Sequence, residues 1–363
     1  GCNARISTVF LIILLLLALV SQAASEVSLR GDFVELIEST KRLAGPVLDV
    51  KDKAKLLTLT NASFARMSGD ETIQILDLIQ ERIGCSLGSK NLILLRSEPN
   101  RPLYFLFFNR EKGKVAYIDV NPDLNWRGIS KEEVGKIFSK VTLMDITTED
   151  ILKSPSEWEK RFKEKVFGGQ EFRLISIFSL WAEGLPQEVI KAAEIHDHIC
   201  PGLLSGYYIA KFILDEIPPQ EEMGYFVIGS PVWCKDDLIQ SYLNTTPGKR
   251  NMVVLPISDK EREHLKDKNA SGIFFQFHRK SGGGKILVPG FDWKRLEAEA
   301  QVKREGLPWL WRLRLALFMV RNLNDYRKYV YVIKKMEMEK DEKPENYISF
   351  GMNPWKKVGL WIE

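Results

Sequence analysis

The sequence predicts an α+β protein made of two related α+β halves and a C-terminal helical extension. In each half, segments with helical periodicity precede segments rich in strand-forming residues. An internal repeat without gaps relates a helix and a strand of the first half to a helix and a strand of the second. Helical patterns dominate the chain after residue 291. At 363 residues the chain exceeds the usual size of one domain, and its 45% hydrophobic content is sufficient for packed cores.

The first half, residues 25–150, contains two predicted helices and three predicted strands. The helices cover 31–44 and 72–82, and the strands cover 91–96, 103–109 and 114–120. Arg110-Glu-Lys-Gly113 is typical of a hairpin turn between the last two strands. A connection over 151–185, which includes the apolar stretch Phe172–Ala182, is predicted to join the halves.

The second half, residues 186–291, repeats this arrangement. Helices are predicted at 187–195, after Pro201 and around Asp237, and the predicted strands are 225–228, 252–256, 272–279 and 285–288.

The internal repeat is carried by Asp77-Leu78-Ile79-Gln80, which recurs 160 residues later as Asp237-Leu238-Ile239-Gln240. Without a gap, Asn91 then aligns with Asn251, and the apolar runs 92–95 and 252–255 align as well. This pattern predicts a duplication. The first half has Gln74 where the second has Cys234, so we expect the first half to be degenerate as a site.

Residues 1–24 have the pattern of a signal peptide. Arg5 precedes the apolar run Val9–Val20, and Ser21-Gln-Ala-Ala24 offers a small-residue cleavage site after Ala23 or Ala24. An uncleaved N-terminal anchor is the alternative. Either interpretation predicts that the body of the protein lies outside the cytoplasm.

The C-terminal extension, residues 292–363, contains a helical pattern over 307–321 that Pro308 opens. Arg312, Arg314 and Arg321 disfavour a bilayer span. We favour packing of this helix on the core, and contact of 307–321 with a membrane surface is the alternative. The run Lys334–Glu345 is interpreted as a solvated, charged connection.

The charge distribution argues against nucleic acid as a partner. The formal net charge of +4 arises from 52 basic and 48 acidic residues, without a concentrated basic run. Pro247-Gly-Lys249 lacks the spacing of a phosphate-binding loop.

The strongest candidate site is His196-Asp-His-Ile-Cys200-Pro-Gly202. Pro201 suits a first helical turn and places Cys200 at the N-cap, where the helix dipole favours a thiolate. His196 and His198 would point to one side of an extended segment. Imidazole and thiolate together indicate a metal site or a reactive thiol, although a buried Cys can also be a simple core residue. Haem ligation is the alternative that we favour least.

Three motifs together resemble one known family. They are His-x-His-x-Cys-Pro-Gly-x-x-x-Gly, Cys-x-x-Asp-x-Ile-Gln from Cys234, and Thr245-Thr-Pro-Gly-Lys-Arg-Asn251. Over about residues 186–295 the chain resembles the FmdE-like family, which takes its name from a component of formylmethanofuran dehydrogenase. The resemblance implies an α+β core, usually dimeric, so the two halves are interpreted as an FmdE-like pseudo-dimer. It also implies a metal cleft, whose positions fall on His196, His198, Cys200, Cys234 and Asp237.

The chain departs from the family pattern in its cysteines. Family members often add a C-terminal zinc finger with four Cys, but no Cys follows Cys234 here. The family's Gly-Cys-Thr is replaced by Asn244-Thr-Thr246, whereas the first half carries Gly84-Cys85-Ser86. We therefore expect the first half to supply Cys85 as a ligand to the metal site of the second half. The alternative is that Cys85 is a buried structural thiol.

The donor set favours zinc, with copper, nickel or iron as alternatives. Asp237, three residues after Cys234, could orient a histidine ligand, and Asp197 and Asp236 are weaker candidates for that role. The main interpretation is an exported metal-binding protein that handles or senses a metal ion or a small metal-bearing ligand. It would be a monomeric pseudo-dimer or a homodimer.

Two other functions remain open. One is a metal- or thiol-dependent hydrolase or redox enzyme with Cys200 as the nucleophile. The other is a structural accessory protein with a vestigial site.

Overall fold

Two five-stranded mixed sheets, each packed with helices in its own unit, confirm the α+β class. The computed structural model describes residues 2–123 and 135–363. The first unit comprises residues 1–147 and 159–171, and the second comprises 148–158 and 172–363. Residues 124–134 of the predicted first half lie outside the described residues.

The first unit begins with a long helix and continues into a sheet. Its main elements are α1 (Cys2–Leu48), β1 (Leu56–Thr60), β2 (Arg66–Met67), β3 (Asp70–Glu71), α2 (Ile75–Arg82), β4 (Leu92–Leu94), β5 (Tyr104–Asn109), β6 (Lys114–Val120) and β7 (Phe138–Asp145).

The second unit contains most of the helices. From α3 onwards the elements are α3 (Thr148–Lys153), α4 (Pro155–Lys163), α5 (Glu171–Ala182), α6 (Gln187–His196), α7 (Pro201–Glu216), β8 (Met223–Gly229), α8 (Lys235–Tyr242), β9 (Met252–Val254), α9 (Asp259–Arg262), β10 (Ile273–His278), β11 (Gly284–Phe291), α10 (Trp293–Ala300), α11 (Pro308–Arg321), β12 (Val330–Met338) and α12 (Pro354–Lys357). Residues 159–163 of α4 and Glu171 belong to the first unit.

The sheet of the first unit has the strand order β4-β1-β5-β6-β7. β4 runs parallel to β1, and the other neighbours are antiparallel. Helix α2 and the C-terminal part of α1 contribute buried residues to the core of this unit, such as Phe33, Ile37 and Leu78. The predicted hairpin between β5 and β6 is confirmed, and Gly113 in its turn has a φ of +61°.

The sheet of the second unit has the order β9-β8-β10-β11-β12. β9 is parallel to β8, and the remaining pairs are antiparallel. The strand order, starting from the parallel edge pair, is therefore the same in both sheets. In addition, α2 and α8, and likewise β4 and β9, have bounds that differ by 160 residues.

Among the described residues, five strands were not predicted from the sequence: β1, β2, β3, β7 and β12. All five residues of β1 are buried in the middle of its sheet, so the strand lacks the alternation that marks a half-exposed strand. The interpretation of 334–345 as a solvated connection was wrong for its first part, because β12 is the edge strand next to β11. Its charged residues Lys335 and Glu337 are exposed, as is common on an edge strand. Because β12 is a strand, the C-terminal extension is not helical throughout.

The C-terminal helix α11 packs on α7, as favoured from the sequence. Leu313, Leu315 and Leu317 are buried, and the Tyr208 hydroxyl donates to the carbonyl oxygens of Met319 and Asn322 at 2.8 and 2.9 Å. In the ranges that the structure describes, no helix combines the length and the apolar character that a membrane crossing requires.

Candidate metal centre

Cys200 lies at the start of α7, in the N-cap position predicted for it. Its backbone is extended (φ −125°, ψ 167°), Pro201 occupies the first helical turn, and the Leu203 amide donates to Cys200 Sγ at 3.3 Å. A free amide at the helix N-terminus therefore points at the sulfur. The main chain alone therefore fixes the position of this thiol.

His196 is the last residue of α6, and the chain reverses directly after it. Asp197 has a left-handed conformation (φ +64°), which an Asp tolerates better than most residues. The predicted extended segment from His196 to His198 was therefore wrong. The turn nevertheless places the two imidazole rings side by side, with centroids 4.3 Å apart.

The turn between His196 and Cys200 is held by α5, which lies within the segment predicted as a connection. The Ile199 amide donates to Ser176 Oγ at 3.0 Å, and Arg173 forms an ion pair with Asp197 at 3.4 Å. α5 therefore supports the loop that carries the histidines.

Cys234 is the residue before α8, and two glycines of α7 bring it to Cys200. A Cβ atom built on Gly202 would lie 3.0 Å from Cys234 Cβ, and one on Gly206 would lie 2.5 Å from the Lys235 carbonyl oxygen. Any side chain at these positions would push α8 away from α7. The Cys-Pro-Gly-x-x-x-Gly spacing thus has a structural reason, the close approach of two helices.

The side chains of His196, Cys200 and Cys234 converge, with ligand atoms that all lie within 4.8 Å of one another. His196 Nε2 is 3.9 Å from Cys200 Sγ. Ligands of a tetrahedral zinc ion lie about 3.5–3.8 Å apart, given bonds of about 2.0 Å to nitrogen and 2.3 Å to sulfur. The three groups therefore fit a metal ion after a small contraction.

Asp237 lies on the other side of the His196 ring. Its Oδ2 atom is 2.7 Å from His196 Nδ1, and Gln240 Nε2 donates to its Oδ1 at 3.5 Å. A carboxylate on one ring nitrogen fixes the orientation of the imidazole and makes the other nitrogen a better donor to a metal.

The charges of the three groups are coupled. A hydrogen bond from Cys200 and the nearby His196 lower the pKa of Cys234 to about 4, against the opposing effect of burial. The hydrogen bond to Cys234, together with burial, raises the pKa of Cys200. Burial by itself lowers the pKa of His196, but Asp237 and Cys234 outweigh it and raise that pKa to about 9. In the metal-free site the thiolate is therefore on Cys234, next to a charged imidazole.

Residues 195–304 match the family described as "FmdE, Molybdenum formylmethanofuran dehydrogenase operon". This part of the chain is FmdE-like. It contains all three converging side chains, and it begins and ends about nine residues later than the resemblance found in the sequence. No curated protein matches the chain.

His198 belongs to the FmdE-like region but is not in the converging group of the described residues. Its Nδ1 atom lies 3.0 Å from Asp197 Oδ1 and 3.1 Å from the His196 carbonyl oxygen. Asp236, another acidic candidate, forms a buried ion pair with Lys235 at 2.7 Å and accepts a hydrogen bond from the Trp233 amide. Asp197 thus contacts the His198 ring, and Asp236 fixes the Lys235 side chain and the Trp233 main chain.

Cys85 lies in the hydrophobic core of the first unit. Its sulfur is fully buried, 3.7 Å from the Leu56 carbonyl oxygen, and burial raises the pKa of this thiol to about 11. The participation of Cys85 in the metal site stays a prediction.

A cavity of about 470 Å³ adjoins the two thiols of the FmdE-like region. Besides His198, residues 200–202 and Cys234, it is lined by Trp233, Arg304, Trp311 and Arg312. Trp311 and Arg312 lie on α11, beyond the residues that match the family. The sequence pattern gives no signal for these two residues, because only the packing of α11 brings them to the cavity.

Proposed function

We propose that this protein is an exported, FmdE-like metal-binding protein with zinc as the preferred ion. The observation that carries the proposal is the convergence of one imidazole and two thiols, with Asp237 on the far side of the imidazole. One nitrogen and two sulfur donors suit zinc, and copper, nickel or iron are the alternatives.

The three residues have distinct roles in this proposal. Cys234 supplies a thiolate that is already ionised, Cys200 supplies a sulfur fixed by the Leu203 amide, and His196 supplies Nε2. A bound ion would supply Lewis acidity and a position for an external ligand from the adjoining cavity. Such a site suits a protein that handles or senses a metal ion or a small metal-bearing ligand.

Metal content of the purified full chain tests the proposal. Elemental analysis after equilibration with zinc is expected to give about one ion per chain for the native protein, and little for Cys234→Ala or His196→Ala. His264→Ala is the matched control, because His264 stacks on Trp361 and is not in the converging group.

Cys85→Ala tests the predicted fifth ligand. If Cys85 is only a structural thiol, this substitution leaves the metal affinity unchanged. A native chain without metal would refute the proposal.

A metal- or thiol-dependent enzyme is the second candidate, and the cavity bordering both thiols favours it. The predicted nucleophile was Cys200, but the low pKa of Cys234 makes Cys234 the stronger candidate. Loss of turnover in Cys234→Ser or Cys200→Ser with the metal retained would support a nucleophilic thiol.

The duplication and the exported location are part of the same proposal. The identical strand order of the two sheets and the shared offset of 160 residues support descent of both halves from one FmdE-like unit. A pseudo-dimer of this kind is expected to be monomeric in light scattering, whereas a dimeric mass would favour the homodimer. Export is tested by the N-terminus of the mature protein, expected after Ala23 or Ala24.

A further inference from the structure

The cavity beside the two thiols is walled by aromatic and cationic side chains. Trp233 forms one part of the wall, and Trp311 and Arg312 of α11 and Arg304 form another. Among the described residues that line this cavity there is no Asp or Glu. The walls therefore favour a ligand that is flat and negatively charged.

The guanidinium groups are ordered by the tryptophan rings. Arg304 lies over the rings of Trp293 and Trp311 at 4.9 and 5.6 Å, and Arg312 lies over Trp311 at 5.4 Å. Such stacking orients the planar donors of an arginine, so that less entropy is lost when they bind a carboxylate.

Arg304 and Arg312 differ in whether a nearby carboxylate neutralises their positive charge. Arg304 is paired with Glu297 at 2.6 Å. In the described part of the chain, Arg312 has no carboxylate within ion-pair distance. Arg312 is exposed and lines the cavity, so it offers an uncompensated positive charge to a ligand there.

α11 holds this wall in place. The helix is anchored by buried residues on its other face, including Leu313 and Leu317, and by the Tyr208 hydroxyl at its C-terminal end. Trp311 and Arg312 are thus presented by a packed helix, which gives a site better precision than a free loop would.

We propose that this cavity binds an aromatic carboxylate, with the carboxylate on Arg312 and the ring against Trp311 and Trp233. This proposal rests on the proposed metal-binding function only in that the ligand would lie beside the bound ion. Because Trp311 and Arg312 follow the region that matches the FmdE family, the choice of ligand is a property of this chain's C-terminal helix.

The test uses the full chain loaded with Co²⁺ in place of zinc, and benzoate as the probe. Benzoate is expected to bind saturably and to change both the cobalt absorption spectrum and the tryptophan fluorescence. Benzamide, which lacks the charge, and cyclohexanecarboxylate, which lacks the flat ring, are each expected to bind more weakly, benzamide by at least about tenfold.

Substitutions on α11 assign the effect to the proposed residues. Arg312→Gln and Trp311→Leu are expected to weaken benzoate binding by about tenfold each, without a change in cobalt affinity. Arg314→Gln is the matched control, because Arg314 is an exposed arginine on the same helix that does not line the cavity. It is expected to change benzoate affinity by less than about twofold.

Two results would overturn the proposal: no saturable binding of benzoate, or an equal loss of affinity in Arg312→Gln and Arg314→Gln. The cobalt–thiolate absorption before benzoate is added reports on the metal site separately. If this absorption is present and benzoate has no effect, only the ligand proposal fails. If it is absent, the proposed function fails, and tryptophan fluorescence of the metal-free chain still measures benzoate binding.

Discussion

Asp237 Oδ2 lies 2.7 Å from His196 Nδ1, and this contact turns the opposite ring nitrogen towards the two thiols. Asp237 lies in the first turn of α8, three residues after Cys234. The same short helix therefore positions a metal donor and the carboxylate that orients a second donor. This relationship predicts how the site responds to mutation.

Removal of the Asp237 charge should weaken metal binding without abolishing it. For Asp237→Asn we expect a loss of zinc affinity of about 10–100-fold, because the imidazole loses its oriented, charged acceptor. Competition with a chromophoric chelator measures this loss. Asp259→Asn is the control, since Asp259 is an exposed carboxylate outside the converging group. Equal affinities for Asp237→Asn and the native chain would show that the carboxylate has no part in binding.

Gly206 should be required for the approach of α7 and α8. A Cβ atom in Gly206→Ala would lie 2.5 Å from the Lys235 carbonyl oxygen, and main chain cannot move aside as a flexible side chain can. We expect the free energy of unfolding to fall by about 1–3 kcal/mol, with a further loss of zinc affinity as Cys234 moves from Cys200. Urea denaturation measures the first effect.

Gly248→Ala is the matched control for this substitution, because a Cβ atom there has no atom within 4 Å. It should be neutral or slightly stabilising. A Gly206→Ala protein as stable as the native one would contradict the proposed helix contact.

Metal affinity should rise with pH. The pKa of His196 is raised to about 9, so at neutral pH a metal must displace the imidazole proton, and it must also displace the proton of Cys200. Cys234, with a pKa of about 4, has none to lose. As the pH rises towards about 9, the cost of removing the His196 proton falls and the apparent affinity increases.

Calorimetry in buffers of different ionisation enthalpy should detect release of about two protons per ion at neutral pH. The Asp237→Asn variant should release fewer, because the carboxylate that raises the pKa of His196 is removed. Binding of metal with the same affinity at about pH 6 and about pH 8 would contradict these protonation states.

The thiols should differ in reactivity when no metal is present. At about pH 6, where an ordinary thiol is protonated, iodoacetamide should modify Cys234 quickly, because its low pKa leaves it as a thiolate. Cys85 should stay unmodified in the folded protein, since it is buried and its pKa is raised to about 11. Mass spectrometry of tryptic peptides distinguishes the two sites.

Zinc should protect Cys234 from this reaction, and His196→Ala should slow it by removing the neighbouring positive charge. Faster modification of Cys85 than of Cys234 would contradict the assigned charges.

Much of the local structure was predictable because it depends on neighbouring residues in the chain. Pro201 after Cys200 indicated a helix start, and the structure has α7 beginning there. Arg110–Gly113 indicated a hairpin that the structure contains. β1 and β12 were missed because one is buried on both faces and the other is a charged edge strand, so neither shows a clear alternation.

By itself the sequence determined the kinds of side chain available to the site and the start of the helix that carries Cys200. It also determined the FmdE-like character of the second half, through the spacing of three motifs. Tertiary structure alone decided that His196 and Cys234 meet Cys200, and that Trp311 and Arg312 border the same cavity. The physical reason is that these contacts depend on the close packing of α7 with α8 and α11, which glycines and buried leucines far apart in the chain make possible.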